Sequence, residues 1–387
     1  MAFSAHKDPE QIKEHFDSDE ELDKNAQVLA KWIHRSEHLI VFTGAGISTS
    51  AGIPDFRGPE GTWTLAAQGR KRTSKTVSNL EAVPTPAHMA LVELQNRGKL
   101  KYLVSQNCDG LHRKSGILPQ FISELHGNSN REYCKNCGKE YLRDFRAVAS
   151  YRETVHDHRT GRKCGACGSD LHDSIVNFNE PLPQKPLRAA FKEAYLADLC
   201  IVLGSSLTVS PANEIPHIVA SRPTAKLVIV NLQKTPLDDG ADLRVFACTD
   251  DLMEKVMLKL NLPIPPFIIV RRMLVECRCG TSANVEVSLK GVDVDGTPMS
   301  FIKQLDVVGH RSVTLTSEPF IFRVPESAGN VAHVTVHFMG WYGEPSLGLE
   351  IQLPGHGEER TKKTYIVEYS PRERDDWKLK VYDEHVI

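Results

Sequence analysis

Apolar residues near the start of the chain recur at helical spacing. The apolar positions are Leu22, Ala26, Leu29 and Ile33. Because they lie three or four residues apart, they fall on one face of a helix. The preceding Ser18-Asp-Glu-Glu21 fits a capping box, in which the serine and the glutamate side chains each bond a backbone N–H of the first turn. The pattern predicts an amphipathic N-terminal helix.

Four short apolar runs follow, and each has the length of a buried strand. They are residues 39–42, 102–104, 199–203 and 227–230. The segments between them are long enough for crossover helices, which parallel strands require. The pattern predicts an α/β fold with a parallel sheet.

Beyond residue 266 the pattern changes to alternation of apolar and polar residues. The alternating runs are 284–289, 312–316, 320–324, 333–338, 349–353 and 365–369. With Gly- and Pro-containing turns between them, they predict an antiparallel all-β domain, either sandwich-like or a barrel. Pro263, Pro265 and Pro266 stop the preceding helix and stiffen the connection. We therefore predict an α/β domain over 1–262, a Pro-rich linker over 263–267 and a β-rich domain over 268–387. The β-rich domain shows no catalytic motif, and we expect a chain that ends near residue 265 to fold alone.

Composition favours a globular protein without a membrane span. The chain has 47 basic and 49 acidic residues, so no global field draws it to nucleic acid or to a membrane. No apolar run reaches the roughly 18 residues of a membrane helix, and the first ten residues lack the apolar region of a secretion signal. Nine cysteines include two C-x-x-C pairs, which favour a metal site over a disulfide framework.

The two C-x-x-C pairs are Cys134/Cys137 and Cys164/Cys167, with 26 residues between them. A glycine follows each pair directly, as zinc-knuckle turns require. Four thiolates in tetrahedral geometry suit one structural zinc ion and leave no coordination position for water; the alternative is four unrelated thiols. Because the pairs fall between the second and third predicted strands, we expect a zinc module at about 127–175 that is inserted into the α/β fold.

The segment 41–57, at the end of the first predicted strand, carries the chemistry of a nucleotide site. Gly44, Ala45 and Gly46 are small enough to let backbone N–H groups approach a pyrophosphate, as in Rossmann-like folds. The third glycine of the G-x-G-x-x-G fingerprint is missing, because that position is Thr49. An acid, an aromatic ring and a guanidinium follow at residues 55–57. This arrangement indicates chemistry on the cofactor itself instead of hydride transfer.

Five motifs in this order resemble the sirtuins, a family of NAD-dependent protein-lysine deacylases. They are the loop at 41–57, Ser-Gln-Asn-Cys-Asp-Gly-Leu-His at 105–112, Glu-Leu-His-Gly-Asn at 124–128, the two C-x-x-C pairs, and Gly-Ser-Ser-Leu at 204–207. The resemblance covers about residues 20–262, and residues 105–112 and 229–236 look like the class IV branch. It implies that residues 1–262 form a Rossmann-like catalytic domain, that NAD is the cofactor and that the zinc ion is structural.

The resemblance implies roles for residues at the ends of the predicted strands. His126 would be the general base that deprotonates a ribose hydroxyl of NAD after nicotinamide has left, a task that suits an imidazole. Gln106 and the catalytic Asn107 would hold the nicotinamide ribose. Asp109 would bind the carboxamide, whereas Cys108 would be a packing residue of the cofactor site and not a nucleophile. Without the resemblance, a structural histidine and a polar turn are the plainer explanations.

The remaining cofactor-binding residues implied by the resemblance would surround the same cavity. Phe56 would shield the reactive ribose carbon from water, and Arg57 would orient phosphate and ribose. The other residues would be Gly44, Ala45, Gly46, Asp55, Trp63, Gly204, Ser205 and Ser206 near the phosphates and ribose, with Asn231, Leu232, Gln233 and Cys248 at the adenosine end.

The acyl-lysine peptide would bind along Val176, Asn177, Phe178 and Asn179. An extended backbone there can pair with a substrate strand. Asn179 stands where many sirtuins carry glycine. No Tyr and Arg pair for an acidic acyl group follows Trp63, so we expect neutral acyl chains.

A small basic cluster, Arg70, Lys71 and Arg72, follows the cofactor loop, with Lys75 close by. It fits either solvated surface or a contact with nucleic-acid phosphates, which would depend on salt. The class resemblance implies a nuclear, chromatin-associated enzyme that acts on histone lysines and releases nicotinamide and O-acyl-ADP-ribose. The alternatives are mono-ADP-ribosyl transfer in the same pocket and a chromatin-bound scaffold with weak turnover.

Overall fold

The computed structural model describes residues 9–150, 154–279, 284–308, 312–325, 327, 329–355, 358–371 and 377–383. Residue contacts divide the chain into two compact units. Unit 1 comprises Met1–Ser129, Glu153–His156 and Ser174–Phe267, and unit 2 comprises Asn130–Arg152, Asp157–Asp173 and Ile268–Ile387. No helix in the described part of the chain is long and apolar enough to cross a membrane.

Helices and strands are numbered in chain order. The helices are α1 (Pro9–Ile12), α2 (Asp19–Arg35), α3 (Thr62–Ala67), α4 (Pro86–Asn96), α5 (Leu111–Ser115), α6 (Gln184–Leu196), α7 (Glu214–Ala220) and α8 (Thr249–Leu260). The first ten strands are β1 (Leu39–Thr43), β2 (Leu100–Ser105), β3 (Ile122–Glu124), β4 (Arg131–Cys134), β5 (Glu140–Arg143), β6 (Arg159–Lys163), β7 (Asp170–Asp173), β8 (Leu199–Leu203), β9 (Lys226–Val230) and β10 (Leu243–Val245). The others are β11 (Ile269–Cys279), β12 (Asn284–Val292), β13 (Met299–Ser300), β14 (Ile302–Val308), β15 (Val313–Leu315), β16 (Phe320–Pro325), β17 (Val331–Phe338), β18 (Leu347–Gln352), β19 (Arg360–Tyr369) and β20 (Lys378–Asp383).

Unit 1 contains a six-stranded parallel sheet in the order β10-β9-β8-β1-β2-β3. All residues of β1 and β8 are buried, because helices cover both faces of the sheet. The Rossmann-like sheet and its four predicted strands are therefore confirmed. Strand β1 lies between β2 and β8, so the sheet extends from β1 in both directions and the strand order reverses there. In open α/β sheets such a reversal opens a crevice at the carboxyl ends of the strands.

The predicted N-terminal helix is α2, and its start is set by Ser18. The Ser18 hydroxyl accepts a hydrogen bond from the Glu21 backbone N–H at 3.3 Å, which satisfies one of the free donors of the first turn. The predicted apolar face, from Leu22 to Ile33, is buried against the sheet. The helix therefore belongs to the core of unit 1.

Unit 2 contains the predicted sandwich. One antiparallel sheet has the order β16-β12-β11-β19-β20, and the second has the order β15-β14-β17-β18. Their inward-facing residues form one core, to which β11 contributes Met273 and Val275 and β17 contributes Val334 and Val336. The sequence pattern marked most of these strands but missed β11, β14 and β20.

The strands around the four cysteines also belong to unit 2. They form a five-stranded sheet in the order β13-β5-β4-β7-β6, in which β13 comes from the C-terminal region. Met299 pairs with Leu142 and Ser300 with Arg143, in parallel. Two backbone bonds flank this pairing, Leu142 N–H to Pro298 O at 2.9 Å and Asp144 N–H to Ser300 O at 2.8 Å.

This grouping differs from the predicted division at residues 262 and 268, which placed the zinc module with the α/β domain. The physical reason is that β5 would otherwise be an open sheet edge, and β13 covers it. The domain bounds 1–262 and 268–387 remain a prediction. The expectation that a chain ending near residue 265 folds intact loses its support, because such a chain lacks β13.

A buried ion cluster joins the same two parts of unit 2. The Arg271 guanidinium lies 2.8 Å from an Asp144 carboxylate oxygen and 2.6 Å from a Glu344 carboxylate oxygen. The Trp341 indole N–H donates to the Asp144 carbonyl at 2.6 Å. Although burial alone would lower the pKa of Arg271, the charges of the two carboxylates raise it above its usual value. Arg271 therefore stays charged in the core.

Candidate functional site

A cavity of about 270 Å³ lies where the sheet of unit 1 reverses its order, beside the ends of β1, β2 and β8. It collects most of the residues predicted for the cofactor and the substrate. These are Gly44, Ala45, Gly46, Asp55, Phe56, Arg57, Trp63, Gln106, Asn107, Cys108, His126, Val176, Asn177, Phe178, Asn179, Gly204, Ser205, Ser206, Asn231 and Gln233. We call it the reaction cavity.

An adjoining cavity of about 370 Å³ shares Gly46, Asp55, Gly204, Asn231 and Gln233 with the first. It contains the two predicted adenosine-end residues that the reaction cavity lacks, Leu232 and Cys248. We call it the outer cavity. Sequence reasoning did not assign Glu14, Thr49 or Lys75 to the cofactor site, yet all three line this cavity.

Glycines bring the loops after β1 and β8 into backbone contact. A Cβ on Gly44 would lie 2.7 Å from the Gly204 carbonyl oxygen, and a Cβ on Gly204 would lie 2.6 Å from the Gly46 Cα. The Gly46 N–H donates to the Gly204 carbonyl at 2.9 Å. Because no side chain lies between these loops, the backbone of Gly44, Gly46 and Gly204 forms the surface between the two cavities. We call this surface the glycine floor. This close approach fits a dinucleotide whose phosphates rest on the backbone.

His126 has the geometry of a neutral base. Its Nδ1 lies 2.9 Å from the Gln106 carbonyl oxygen, which only accepts, so Nδ1 carries the proton. Nε2 then has a free lone pair, and no residue in the described part of the chain hydrogen-bonds to it. Burial lowers the pKa of His126 below its usual value, and the bond to Gln106 opposes this in part. The ring is therefore neutral at physiological pH.

Hydrogen bonds to neighbouring loops hold the side chains of Gln106 and Asn107 at the cavity wall. The Gln106 side-chain carbonyl accepts a bond from the Ser205 hydroxyl at 2.7 Å. The Asn107 amide donates to the Gly44 carbonyl at 3.0 Å. These bonds tie the loop after β2 to the loops after β8 and β1. The two amides consequently have fixed orientations toward the reaction cavity.

Asp109 lies behind this wall and lines neither cavity. Its carboxylate accepts bonds from the Ser48 hydroxyl at 2.7 Å and from the Leu111 backbone N–H at 2.9 Å. Burial raises the pKa of Asp109, and these bonds oppose the rise. The predicted contact of Asp109 with the carboxamide stays a prediction. Cys108 does line the cavity, and its thiol donates to the His126 carbonyl at 3.1 Å.

An aromatic cluster covers Arg57. The Arg57 guanidinium lies 4.5 Å from the Trp63 ring centre, the Phe56 and Trp63 centres are 4.7 Å apart, and Phe178 meets Trp63 edge-on at 5.3 Å. Phe56 is 45% exposed, so it is free to cover a ligand. Burial lowers the pKa of Arg57, and burial raises the pKa of Asp55. A charged ligand would relieve the desolvation of the guanidinium.

The predicted peptide-binding segment forms one wall of the reaction cavity. The Val176 N–H donates to the His126 carbonyl at 3.1 Å, and the Glu180 carboxylate accepts from the Asn177 N–H at 2.7 Å. Asn179 has a φ of 70°, in the left-handed region that favours glycine and next asparagine. Asn179 therefore adopts a backbone conformation that glycine adopts readily. Sequence reasoning did not assign Leu182 and Val209, which add apolar surface to the same cavity.

The four predicted zinc ligands come together in unit 2. The Cys134 and Cys167 sulfurs are 3.4 Å apart, those of Cys137 and Cys164 are 3.6 Å apart, and all four lie within 4.8 Å of one another. Sulfurs bound tetrahedrally at about 2.3 Å from zinc would be about 3.8 Å apart. Gly138 and Gly168, with φ near 73° and 74°, form the turn after each pair. The site fits one structural zinc ion.

The members of the predicted basic cluster differ in their contacts and burial. Arg70 pairs with Glu60 at 3.1 Å, whereas Arg72 is half-buried, donates to the Thr62 hydroxyl at 3.2 Å and lines the outer cavity. Lys75 lines the outer cavity as well, and Lys71 is exposed. Two of the four cations thus face the candidate cofactor site, which the local charge pattern did not indicate.

Comparison with known proteins places these motifs in context. The model of the Sir2 family matches residues 70–211. The chain is 40% identical over 324 residues to NAD-dependent protein deacetylase SRT1 of Arabidopsis thaliana, covering 81% of this chain and 67% of the relative. It is 44% identical over 259 residues to human NAD-dependent protein deacetylase sirtuin-7, covering 65% and 64%.

The match extends over a larger share of a third relative than of the plant and human proteins. NAD-dependent protein deacetylase Sirt6 of Drosophila melanogaster is 40% identical over 263 residues, which cover 66% of this chain and 81% of the relative. The chain spans about two thirds of the length of the plant and human relatives.

Proposed function

Because the chain belongs to the Sir2 family, we propose that it is an NAD-dependent protein deacylase that acts on acyl-lysine side chains. The relatives carry the name NAD-dependent protein deacetylase. The observation that carries the proposal is the neutral His126 in one cavity with Gln106, Asn107 and the glycine floor of the loops after β1 and β8. NAD fits this floor, and one zinc ion fits the four cysteines.

His126 acts as the general base. Bound NAD supplies an electrophilic ribose carbon and nicotinamide as its leaving group. The Gln106 carbonyl fixes the imidazole tautomer, so Nε2 is the atom that accepts the proton of a ribose hydroxyl. The lowered pKa keeps this atom unprotonated at physiological pH. Asn107 and Gln106, each tied to a neighbouring loop, orient the ribose hydroxyls for that transfer.

The aromatic cluster excludes water and holds charge. Phe56 covers the reacting carbon on the solvent side, and Trp63 fixes the position of the Arg57 guanidinium. Arg57 orients phosphate and ribose. Asp109 stabilises the loop through Ser48 from behind, so we assign it a positioning role.

The acyl-lysine peptide lies along residues 176–179, and its acyl chain enters the reaction cavity beside Leu182 and Val209. These walls are apolar, which supports neutral acyl chains. One water molecule is consumed in the later step that breaks the amide C–N bond, so the products are nicotinamide, the deacylated lysine and O-acyl-ADP-ribose. The proposal of histones as substrates and of the nucleus as the compartment rests on the class resemblance of residues 105–112 and 229–236.

The test is product analysis with NAD and acyl-lysine histone H3 and H4 peptides of differing acyl chains. We expect nicotinamide release, peptide deacylation and O-acyl-ADP-ribose in equal amounts by mass spectrometry. With His126→Tyr, deacylated peptide and O-acyl-ADP-ribose should be lost, whereas nicotinamide exchange should be reduced less, because the base acts after nicotinamide has left. The control is His217→Tyr, an exposed histidine of α7 that lines neither cavity. ADP-ribosylated peptide in place of deacylated peptide would indicate the transferase. Absence of any NAD turnover would favour the scaffold.

A further inference from the structure

The segment before α2 lies across the carboxyl ends of β9 and β10. Three hydrogen bonds fix it there: His15 N–H to Leu232 O at 2.8 Å, Asp17 N–H to Phe246 O at 2.8 Å, and the Gln233 side-chain amide to Ile12 O at 2.9 Å. Residues 12–17 are thus joined to the loops after β9 and β10, which carry Leu232, Gln233 and Cys248. The segment is part of the outer cavity wall.

Glu14 is the residue of this segment that lines the outer cavity. It is half-buried, and no side chain or backbone group in the described part of the chain bonds its carboxylate. Burial raises the pKa of Glu14, and the charge of Asp55 adds to the rise. The charge of Glu14 in turn adds to the burial that raises the pKa of Cys248. The Glu14 carboxylate therefore interacts electrostatically with Asp55 on one side of the outer cavity and with Cys248 on the other.

A half-buried carboxylate without a partner lowers stability unless a ligand bonds it. The part of a ligand that lies beside this carboxylate should present hydroxyl donors and no negative charge. In dinucleotide sites a single carboxylate that accepts a ribose hydroxyl bond distinguishes NAD from its 2′-phosphorylated form. The residues around Glu14, including Asn231 and Cys248, are those assigned to the adenosine end of NAD.

We infer that Glu14 accepts hydrogen bonds from the adenosine ribose of NAD and excludes a cofactor with a 2′-phosphate. The inference rests on the proposed function, because it takes NAD as the ligand of the two cavities. Arg72 and Lys75 line the same cavity and would attract a phosphate. Glu14 then determines the preference for NAD over NADP, because its negative charge opposes the positive charges of Arg72 and Lys75.

The experiment is isothermal titration calorimetry on the full chain with three probes: NAD, NAD lacking the adenosine 2′-hydroxyl, and NADP. With Glu14→Gln we expect about tenfold weaker NAD binding, because a charge-assisted bond becomes a neutral one. Binding of the 2′-deoxy probe should change little, and NADP should bind about tenfold more tightly. The ligand-free melting temperature should stay level or rise, since a desolvated charge is removed.

The matched control is Glu20→Gln, which makes the same change at an exposed position of α2 outside both cavities. The inference is overturned if the parent binds NAD and Glu14→Gln binds all three probes as the parent does. It is also overturned if Glu14→Gln has a lower melting temperature and binds all three probes more weakly by the same factor, because that result indicates a structural role. A folded parent that binds none of the probes would overturn the proposed function and the inference together.

Discussion

Replacement of Arg271 by methionine should destabilise unit 2. The side chains of Arg271, Asp144 and Glu344 are only 5%, 6% and 0% exposed. Methionine keeps an apolar chain near the Phe301 ring, above which the guanidinium lies at 5.0 Å. It removes the cation, however, and leaves two buried carboxylates without their shared partner.

The magnitude follows from burial. Loss of one partner from a buried ion pair costs about 3–5 kcal/mol, because the remaining charge is desolvated and uncompensated. In a domain of roughly 150–250 residues, each kcal/mol lowers the melting temperature by about 2–4 °C. The transition of unit 2 should therefore move down by about 6–20 °C. Protonation of Glu344, whose pKa burial already raises, would bring the effect toward the lower end.

The assay is thermal unfolding of the zinc-loaded chain, followed by tryptophan fluorescence and by release of zinc to a chromogenic chelator. Trp341 is a direct reporter, because its indole bonds the Asp144 carbonyl. The matched control is Arg272→Met on the same strand, since Arg272 is half-buried and its side chain has no hydrogen bond or ion pair to any described residue. Equal melting and equal zinc release in the two variants would refute the reasoning.

Four further outcomes are expected. His126→Tyr should abolish deacylation and keep the melting temperature, and a variant as active as the parent would remove His126 from the mechanism. Cys134→Ser should lower the zinc content, measured by metal analysis, below one ion per chain and should destabilise unit 2. The control is Cys279→Ser, which changes an exposed thiol. A full zinc content in Cys134→Ser would contradict the assignment of Cys134 as a ligand. A chain ending at Pro265 should hold zinc poorly, because β5 loses β13 and Asp144 loses Arg271; full zinc retention would contradict this. Since burial lowers the pKa of His126 and the base must be neutral, kcat/KM should hold its plateau as pH falls to about 6.5 and decline only below that; a decline centred above pH 6.5 would contradict it.

The sequence was sufficient wherever local pattern determines structure. The run Leu-Ile-Val-Phe at 39–42 is too apolar to lie anywhere but in a covered sheet, and β1 is buried along its length. The C-x-x-C spacing similarly predicts four sulfurs in one place, which the structure confirms. Asn179 was identifiable as a departure from glycine, but its φ of 70° was needed to show that it adopts a backbone conformation that glycine adopts readily.

Contacts between distant segments could not be predicted in the same way. Arg271 and Asp144 are 127 residues apart, and neither lies in a motif. Strand β13 has two residues, too few for any periodicity. Glu14 lies among other charged residues of a polar segment, so only the hydrogen bonds of its neighbours place it in a cavity. Arg72 likewise belongs to a cluster whose members face different directions.

The pairing of β5 with β13 also sets an order of events during synthesis on the ribosome. Arg143 and Ser300, which meet in that pairing, are 157 residues apart. At about 5–20 residues per second, the strands around the cysteines are translated roughly 8–30 seconds before β13, the last strand of their sheet. During that interval β5 is an open edge, able to pair with another chain. Zinc binding before release would shorten the exposure of the other strands but not of this edge, so the yield of soluble protein should depend on how quickly residues 271–300 are translated.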